Sequence, residues 1–173
     1  MLGQAIELLK EDYSRYSDRK WSFFNVVRYK RNIPGLDYMF WFRLANAFKE
    51  SGLCHRFCVS MLTRKGIKYG FDIPYDTKIG GGCCIKHFGL LIINHKCTIG
   101  TNFTVVPGTI IGKSKGKVPT IGNNVHVGAN VSIVGGVTIS DNAGIGAGSV
   151  VVHSVDENTV VAGNPAKPLY IRG

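Results

Sequence analysis

A chain of 173 residues, 45% apolar and 18% charged, has the make-up of a folded globular protein and is too rich in apolar residues to be disordered. Its formal charge of +10 favours anionic partners, yet none of the usual nucleic-acid motifs is present, so no nucleic acid is expected. No apolar run is long enough to predict a membrane span, and the N-terminus lacks the features of a secretory leader, so the expected compartment is cytoplasmic.

The front of the chain, residues 1–70, reads as a helical region carrying +7 of the +10 charge. "LGQAIELLKEDYSRY" sets Leu2, Ile6, Leu9, Tyr13 and Tyr16 on one helical stripe. "SFFNVVRYKRN" comes next and stops at Pro34, "LDYMFWFRLANAFKESG" ends at a glycine, and "LCHRFCVSMLTRKGIKYG" reads as one more helix. Three or four such helices have too little core to stand alone and are expected to pack on the remainder of the chain. Trp21, Phe23, Phe24, Phe40 and Trp41 read first as helix core and second as a surface for an anionic membrane. The five cysteines include no C-x-x-C pair, and small buried thiols are the expectation.

From Ile73 the period becomes six. Aliphatic residues stand at Ile73, Ile79, Ile85, Ile93, Ile99, Val105, Ile111, Ile121, Val127, Ile133, Ile139, Ile145 and Val151. A glycine often follows them, and a small or β-branched residue often stands four further on. A helix repeats every 3.6 residues and an ordinary strand every two, so this pattern predicts a β-helix of hexapeptide repeats, three hexads to a coil. Thirteen hexads give a little over four coils. The expected organisation is a helical region at 1–70, a β-helix at 71–157 and a C-terminal cap or tail at 158–173.

Two intervals break the period, eight residues after Ile85 and ten after Ile111. Insertions into a solenoid must leave it as loops, and loops on a rigid scaffold often carry function. The first holds "HFGLLI"; the second is "GKSKGKVPT".

The stretches "DIPYDTKIGGGCCIKHFGLLIIN", "IGNNVHVGANVSIVGGVTI", "IGAGSVV" and "AGNPAK" resemble the hexapeptide-repeat acyltransferases, in particular the serine acetyltransferase-like branch that includes polysaccharide O-acetyltransferases. The resemblance covers residues 70–168. It implies a mainly β fold, a left-handed parallel β-helix, assembled as a homotrimer with active sites between subunits and acetyl-CoA as donor. It implies His87 as general base and Asp72 as the carboxylate that pairs with it. An imidazole with a pKa near 6.5 can take a proton from an attacking hydroxyl at neutral pH, while a carboxylate fixes its tautomer. Gly112, Ala129 and Ala147 match backbone positions beside the pantetheine arm, and Lys113, Lys117 and Lys167 are candidates for the phosphates of CoA.

On the acceptor side, Lys86 and His95 are the assigned residues, although His95 reads first as a surface histidine. The branch's true serine acetyltransferases carry an aspartate where Lys86 stands, and an arginine and a histidine where Lys117 and Val118 stand. The expected reaction is therefore O-acetylation of a sugar or polysaccharide precursor. Serine O-acetylation is the alternative, and a non-catalytic scaffold the second alternative. No metal is expected: a zinc enzyme on this solenoid would want a histidine five residues after His126, and Val131 stands there.

Overall fold

The computed structural model describes residues 2–172. Four α-helices come first: α1 (Leu2–Ser14), α2 (Phe23–Tyr29), α3 (Pro34–Ala47) and α4 (Gly52–Tyr69), with a 3₁₀ turn at Lys30–Asn32. Pro34 opens α3 at its first turn, where a missing N–H costs nothing. Gly70 ends α4 in the left-handed conformation at φ 78°, and its N–H bonds the Gly66 carbonyl at 2.8 Å. The next residue begins the β-helix.

The first coil comprises β1 (Phe71–Asp72), β2 (Lys78–Ile79) and β3 (Cys84–Ile85), and the second β4 (Leu91–Ile93), β5 (Thr98–Ile99) and β6 (Thr104–Val105). The third holds β7 (Thr109–Gly112), β8 (Thr120–Ile121) and β9 (His126–Val127), the fourth β10 (Ser132–Val134), β11 (Thr138–Ile139) and β12 (Gly144–Ile145). A fifth coil runs through β13 (Val150–Val151), a bridge from Val155 to Ile139, and β14 (Thr159–Gly163). Finally β15 (Ala166–Ile171) turns back antiparallel along β14.

Corresponding strands stack in parallel into three faces. The first face is β1-β4-β7-β10-β13, the second β2-β5-β8-β11, and the third β3-β6-β9-β12-β14 closed by β15. The hexad aliphatics fall in register, as in Ile85–Val105–Val127–Ile145–Val161 on the third face. All of these are buried, and full burial of each such side chain stabilises by roughly 1.5–3 kcal/mol. The expected hexapeptide β-helix is therefore the fold, with one more coil than the period suggests. Val155 lies four residues after Val151 rather than six, which hides the fifth coil from the repeat.

The helices close the start of the stack, where β1, β2 and β3 would otherwise present an open edge. Tyr38 Oη donates to the Ile73 carbonyl at 2.7 Å and accepts the Ile73 N–H at 3.2 Å. Tyr16 Oη accepts the Ile85 N–H at 2.7 Å and donates to its carbonyl at 3.3 Å. Arg43 donates to the carbonyls of Ile79 and Gly80, both at 2.6 Å, and Asp12 accepts the Cys83 N–H at 2.8 Å. Asp12 and Arg43 are themselves joined by bonds of 2.9 and 3.1 Å, fully out of solvent. Burial pushes the Asp12 carboxyl up, against the pull of the Arg43 guanidinium, while Asp12 in turn raises Arg43. The pair is ionised, because a guanidinium does not give up its proton in a protein and each charge has its hydrogen bonds filled. Side chains on α1, on the turn after it and on α3 thus do for the first coil what a preceding coil would do.

The buried stripe of α1 is Ala5, Leu9, Asp12 and Tyr13, whereas Leu2 and Ile6 are exposed. Of the cysteines, Cys58, Cys83, Cys84 and Cys97 are buried and Cys54 is exposed.

Candidate active site

Both insertions leave the coil as loops. Residues 86–90 connect β3 to β4, with His87 at φ 65° and its side chain exposed. The left-handed region costs a non-glycine residue about 1 kcal/mol, so the loop must be held from elsewhere. It is: Gly89 N–H bonds the Tyr69 carbonyl and Leu91 N–H the Gly70 carbonyl, both at 2.9 Å. A side chain at Gly70 would stand 3.0 Å from the Gly89 carbonyl, so the glycine that ends α4 also seats the histidine loop. Phe88 beside His87 is 72% exposed.

Asp72 stands outward on β1, opposite Ile92 of β4. It lines a groove of about 480 Å³ between the first face and α4, together with Leu90 and Ile92 at the end of the histidine loop and Leu62 and Ile67 of α4. Leu90, Ile92 and the α4 wall are a part of this neighbourhood that the repeat pattern does not reveal. No hydrogen bond or ion pair among the described residues joins the Asp72 carboxylate to the His87 imidazole.

The other assigned residues divide between two edges of the β-helix. One edge is the line of turns from the third face to the first. It carries the His87 loop, then Pro107–Gly108, Ala129, Ala147 and the 163–166 turn, and Lys167 comes next at the start of β15. Hydrogen bonds tie these turns one to the next: Gly108 N–H to Leu90 O at 2.6 Å, Asn130 N–H to Pro107 O at 3.4 Å, Gly148 N–H to Ala129 O at 2.8 Å, and Gly163 N–H to Ser149 Oγ at 3.2 Å. Here the chain is slender: a Cβ at Gly128 would meet the Ala147 nitrogen at 2.7 Å.

The opposite edge, from the first face to the second, carries His95 and the lysine loop. His95 Nδ1 lies 3.6 Å from Asp76 Oδ2, with both side chains about half exposed. The lysine loop is a tight hairpin in which Ser114 and Lys117 exchange hydrogen bonds of 2.9 and 3.0 Å across Lys115 (φ 47°) and Gly116 (φ 80°). Two successive positive φ values are what a two-residue hairpin turn requires. Gly112 enters this hairpin from the first face, and a methyl there would meet nothing nearer than Ile110 Cγ2 at 3.6 Å. One chain therefore brings His87 together with Ala129, Ala147 and Lys167, and His95 together with Gly112, Lys113 and Lys117, but keeps the two sets on different edges. Lys86 directly follows β3 and precedes His87, exposed and with its N–H on the Val105 carbonyl at 2.9 Å.

Among the described residues no three histidine, cysteine or carboxylate side chains are placed to hold a metal, and no helix is long and apolar enough to cross a membrane.

Stacked hexapeptide coils with loops thrown out at two edges define the chain as a hexapeptide-repeat β-helix protein. No protein-family model matches the sequence. It is 31% identical over 172 residues to the serine acetyltransferase of Bacillus licheniformis, covering 96% of this chain and 79% of that protein. It is 37% identical over 107 residues to WcaB of Escherichia coli K12, named as a putative colanic acid biosynthesis acetyltransferase, covering 60% of this chain and 66% of that one. Against a Staphylococcus epidermidis serine acetyltransferase the match is 42% over 100 residues and spans about half of the relative, 47%. Among solved structures, the serine acetyltransferase of Brucella abortus superimposes with a TM-score of 0.82 at 26% identity, over 99% of this chain and 71% of that one. A second structure of that protein holds coenzyme A (TM-score 0.77, 25% identity, over 99% and 69% of the two chains). The chain belongs to the serine acetyltransferase family, whose class of activity is acetyl transfer.

Proposed function

We propose that this protein transfers the acetyl group of acetyl-CoA to a hydroxyl of a sugar or polysaccharide precursor, with His87 as general base. The observation that carries the acceptor class is Lys86. A positive side chain in the residue before the base disfavours the ammonium of serine, and neither sequence neighbour of His87 is acidic. The 72% exposed ring of Phe88 on the same loop offers a pyranose an apolar face to lie on. In this reading the His87 imidazole takes the proton of the hydroxyl as its oxygen attacks the thioester carbonyl, and returns it to the departing sulfur. Such a positioned base contributes roughly 10²–10⁴-fold. Asp72 opens the same neighbourhood and is the carboxylate to which the other ring nitrogen of His87 would donate once the acceptor closes the site.

The donor fits the edge that carries His87. Its turns are built from glycine and alanine, leaving room for a thin pantetheine chain along Ala129 and Ala147 toward Lys167. The residues assigned to the phosphates at Lys113 and Lys117, with Gly112 beside them, lie on the far edge of the first face. A second copy that sets its hairpin edge against the first copy's His87 edge would complete the site, and three copies closing a ring would make three equivalent ones. The outward side of the first face supports this: Ile92, Ile110 and Val150 stand in one row, with Ser132 between the last two and Val134 two residues further along β10, and these half-buried apolar side chains suit covering by a neighbour.

Serine O-acetylation is the second reading, favoured by the Bacillus licheniformis relative, which the chain matches over 79% of its length. A thiol-release assay with acetyl-CoA separates the two. Turnover with oligosaccharides and none with L-serine supports the glycan reading; turnover with L-serine alone overturns it.

A further inference from the structure

A site on the third face, away from the edge that would hold the donor, has no role in the chemistry above. His126 stands outward on β9, directly between Thr104 of β6 and Gly144 of β12. Over Thr104 lies Arg15, which arrives from the end of α1: Nη2 bonds Thr104 Oγ1 at 2.9 Å and Nη1 the Gly82 carbonyl at 3.5 Å. Over Gly144 lies Arg172, which arrives from the end of β15 with Nη1 on the Asn142 carbonyl at 3.1 Å. Gly144 makes room for it, since a Cβ there would overlap Arg172 Nη2. Two arginines from outside the repeat thus flank one histidine of the repeat, one coil to either side. Adjacent strands are ~4.8 Å apart, so the arginines frame a gap of about 10 Å.

On the Arg15 side of His126 the surface dips into an open depression of about 440 Å³ lined by Arg15, Asn102, Thr104, Asn124 and His126, and Arg172 stands beyond it over Gly144. Among the described residues no carboxylate is paired with Arg15, Lys86 or Arg172. Burial and then the charges of Lys86, Arg172 and Arg15 press the His126 pKa down, so the charges that act on this imidazole are all positive. Arg15 in this depression and Arg172 one coil beyond His126, neither paired with a carboxylate and with neutral amide and hydroxyl groups beside them, suit an oxyanion. Lys86 links His126 to the His87 corner, because its charge acts on the His126 imidazole and it stands between β3 of the third face and His87.

We infer that the row Arg15–His126–Arg172 on the third face binds an anionic group, a carboxylate or a phosphate, carried by the saccharide acceptor about two coils from the hydroxyl that His87 deprotonates. This rests on the glycan reading and narrows it to charged saccharides. The spacing along the stack is about 10 Å, the length of roughly two sugar units or of one sugar and its phosphate.

The test is titration of the full chain with a galacturonate trimer, glucose 1-phosphate and maltotriose, following the His126 imidazole resonances. The charged probes should bind and shift those signals, and maltotriose should leave them in place. Whichever charged probe binds more tightly assigns the group as carboxylate or phosphate. Arg15→Gln combined with Arg172→Gln should weaken that binding about tenfold or more, as loss of charge-assisted bonds does. Because Arg15 also bonds the scaffold, His126→Asn, which removes a ring with no hydrogen bond of its own in the fold, is the second variant and should weaken binding as well. Equal shifts with maltotriose, or unchanged affinity for the charged probes in both variants, overturns the inference. Such a failure leaves acetylation of neutral oligosaccharides intact in the thiol-release assay, whereas failure of the glycan reading shows there as turnover with L-serine alone.

Discussion

A buried ion pair is one of the anchors of the cap on the first coil, and Arg43→Met tests it. The substitution keeps the aliphatic bulk and removes the guanidinium. Asp12 is then left with its charge at 0% exposure, and the Ile79 and Gly80 carbonyls each lose a 2.6 Å donor. Breaking a buried pair from one side costs about 3–5 kcal/mol. With a urea m-value near 2 kcal/mol/M, that is a fall in the unfolding midpoint of roughly 1.5–2.5 M. The assay is urea unfolding monitored by circular dichroism at fixed protein concentration, since assembly adds to apparent stability. The exposed pair Lys10–Glu7, at 3.5 Å, is the control, and Lys10→Met should move the midpoint little. An Arg43→Met midpoint within the range of the Lys10 control would show that the helices do not cap the β-helix through this pair.

The same packing sets three further outcomes. Gly35→Ala should destabilise by about 1–3 kcal/mol or prevent folding, because its Cβ would collide with the Ile85 carbonyl where α3 crosses the first coil; a melting temperature like the parent's would contradict this contact. Asp37 bonds Lys30 at 2.7 Å, Lys65 at 2.6 Å and Tyr69 at 2.9 Å; burial raises its carboxyl pKa, but these three donors outweigh burial and hold it below the usual value. Its stabilisation is therefore present above the unfolded pKa of about 3.9 and is lost as pH falls through the lower folded value, so the gap in melting temperature between wild type and Asp37→Asn should shrink below about pH 4. A gap that stays constant there would refute the assignment. In the native protein a thiol reagent should label Cys54 first, while Cys58, Cys83, Cys84 and Cys97, whose thiols burial pushes up, react only on unfolding; rapid labelling of Cys83 would contradict its place under the cap.

The repeat was legible because each hexad must return its aliphatic residue to the same interior, so a single sequence carries the period without help. The interruptions of the repeat were legible for the same reason, and they point to His87 and the lysine hairpin. Which edge each residue occupies was harder to read. His95 stands only eight residues after His87, yet the chain crosses the first face between them and leaves the two on different edges. The α1 stripe misled because Leu2 and Ile6 look like core, whereas Asp12 is the buried member, stabilised by an arginine 31 residues away. The row through His126 had no signal of its own: Arg15 and Arg172 come from opposite ends of the chain, outside any period, and meet only through the fold.

The measurement that bears most directly on the proposed reaction is acetyl-CoA turnover by wild type and His87→Ala, with a charged oligosaccharide and with L-serine as acceptors. The account predicts thiol release with the oligosaccharide alone, reduced about 10²-fold or more by His87→Ala in a protein that melts as the wild type does. Equal turnover by the two proteins, or release with L-serine and not with the oligosaccharide, would contradict it.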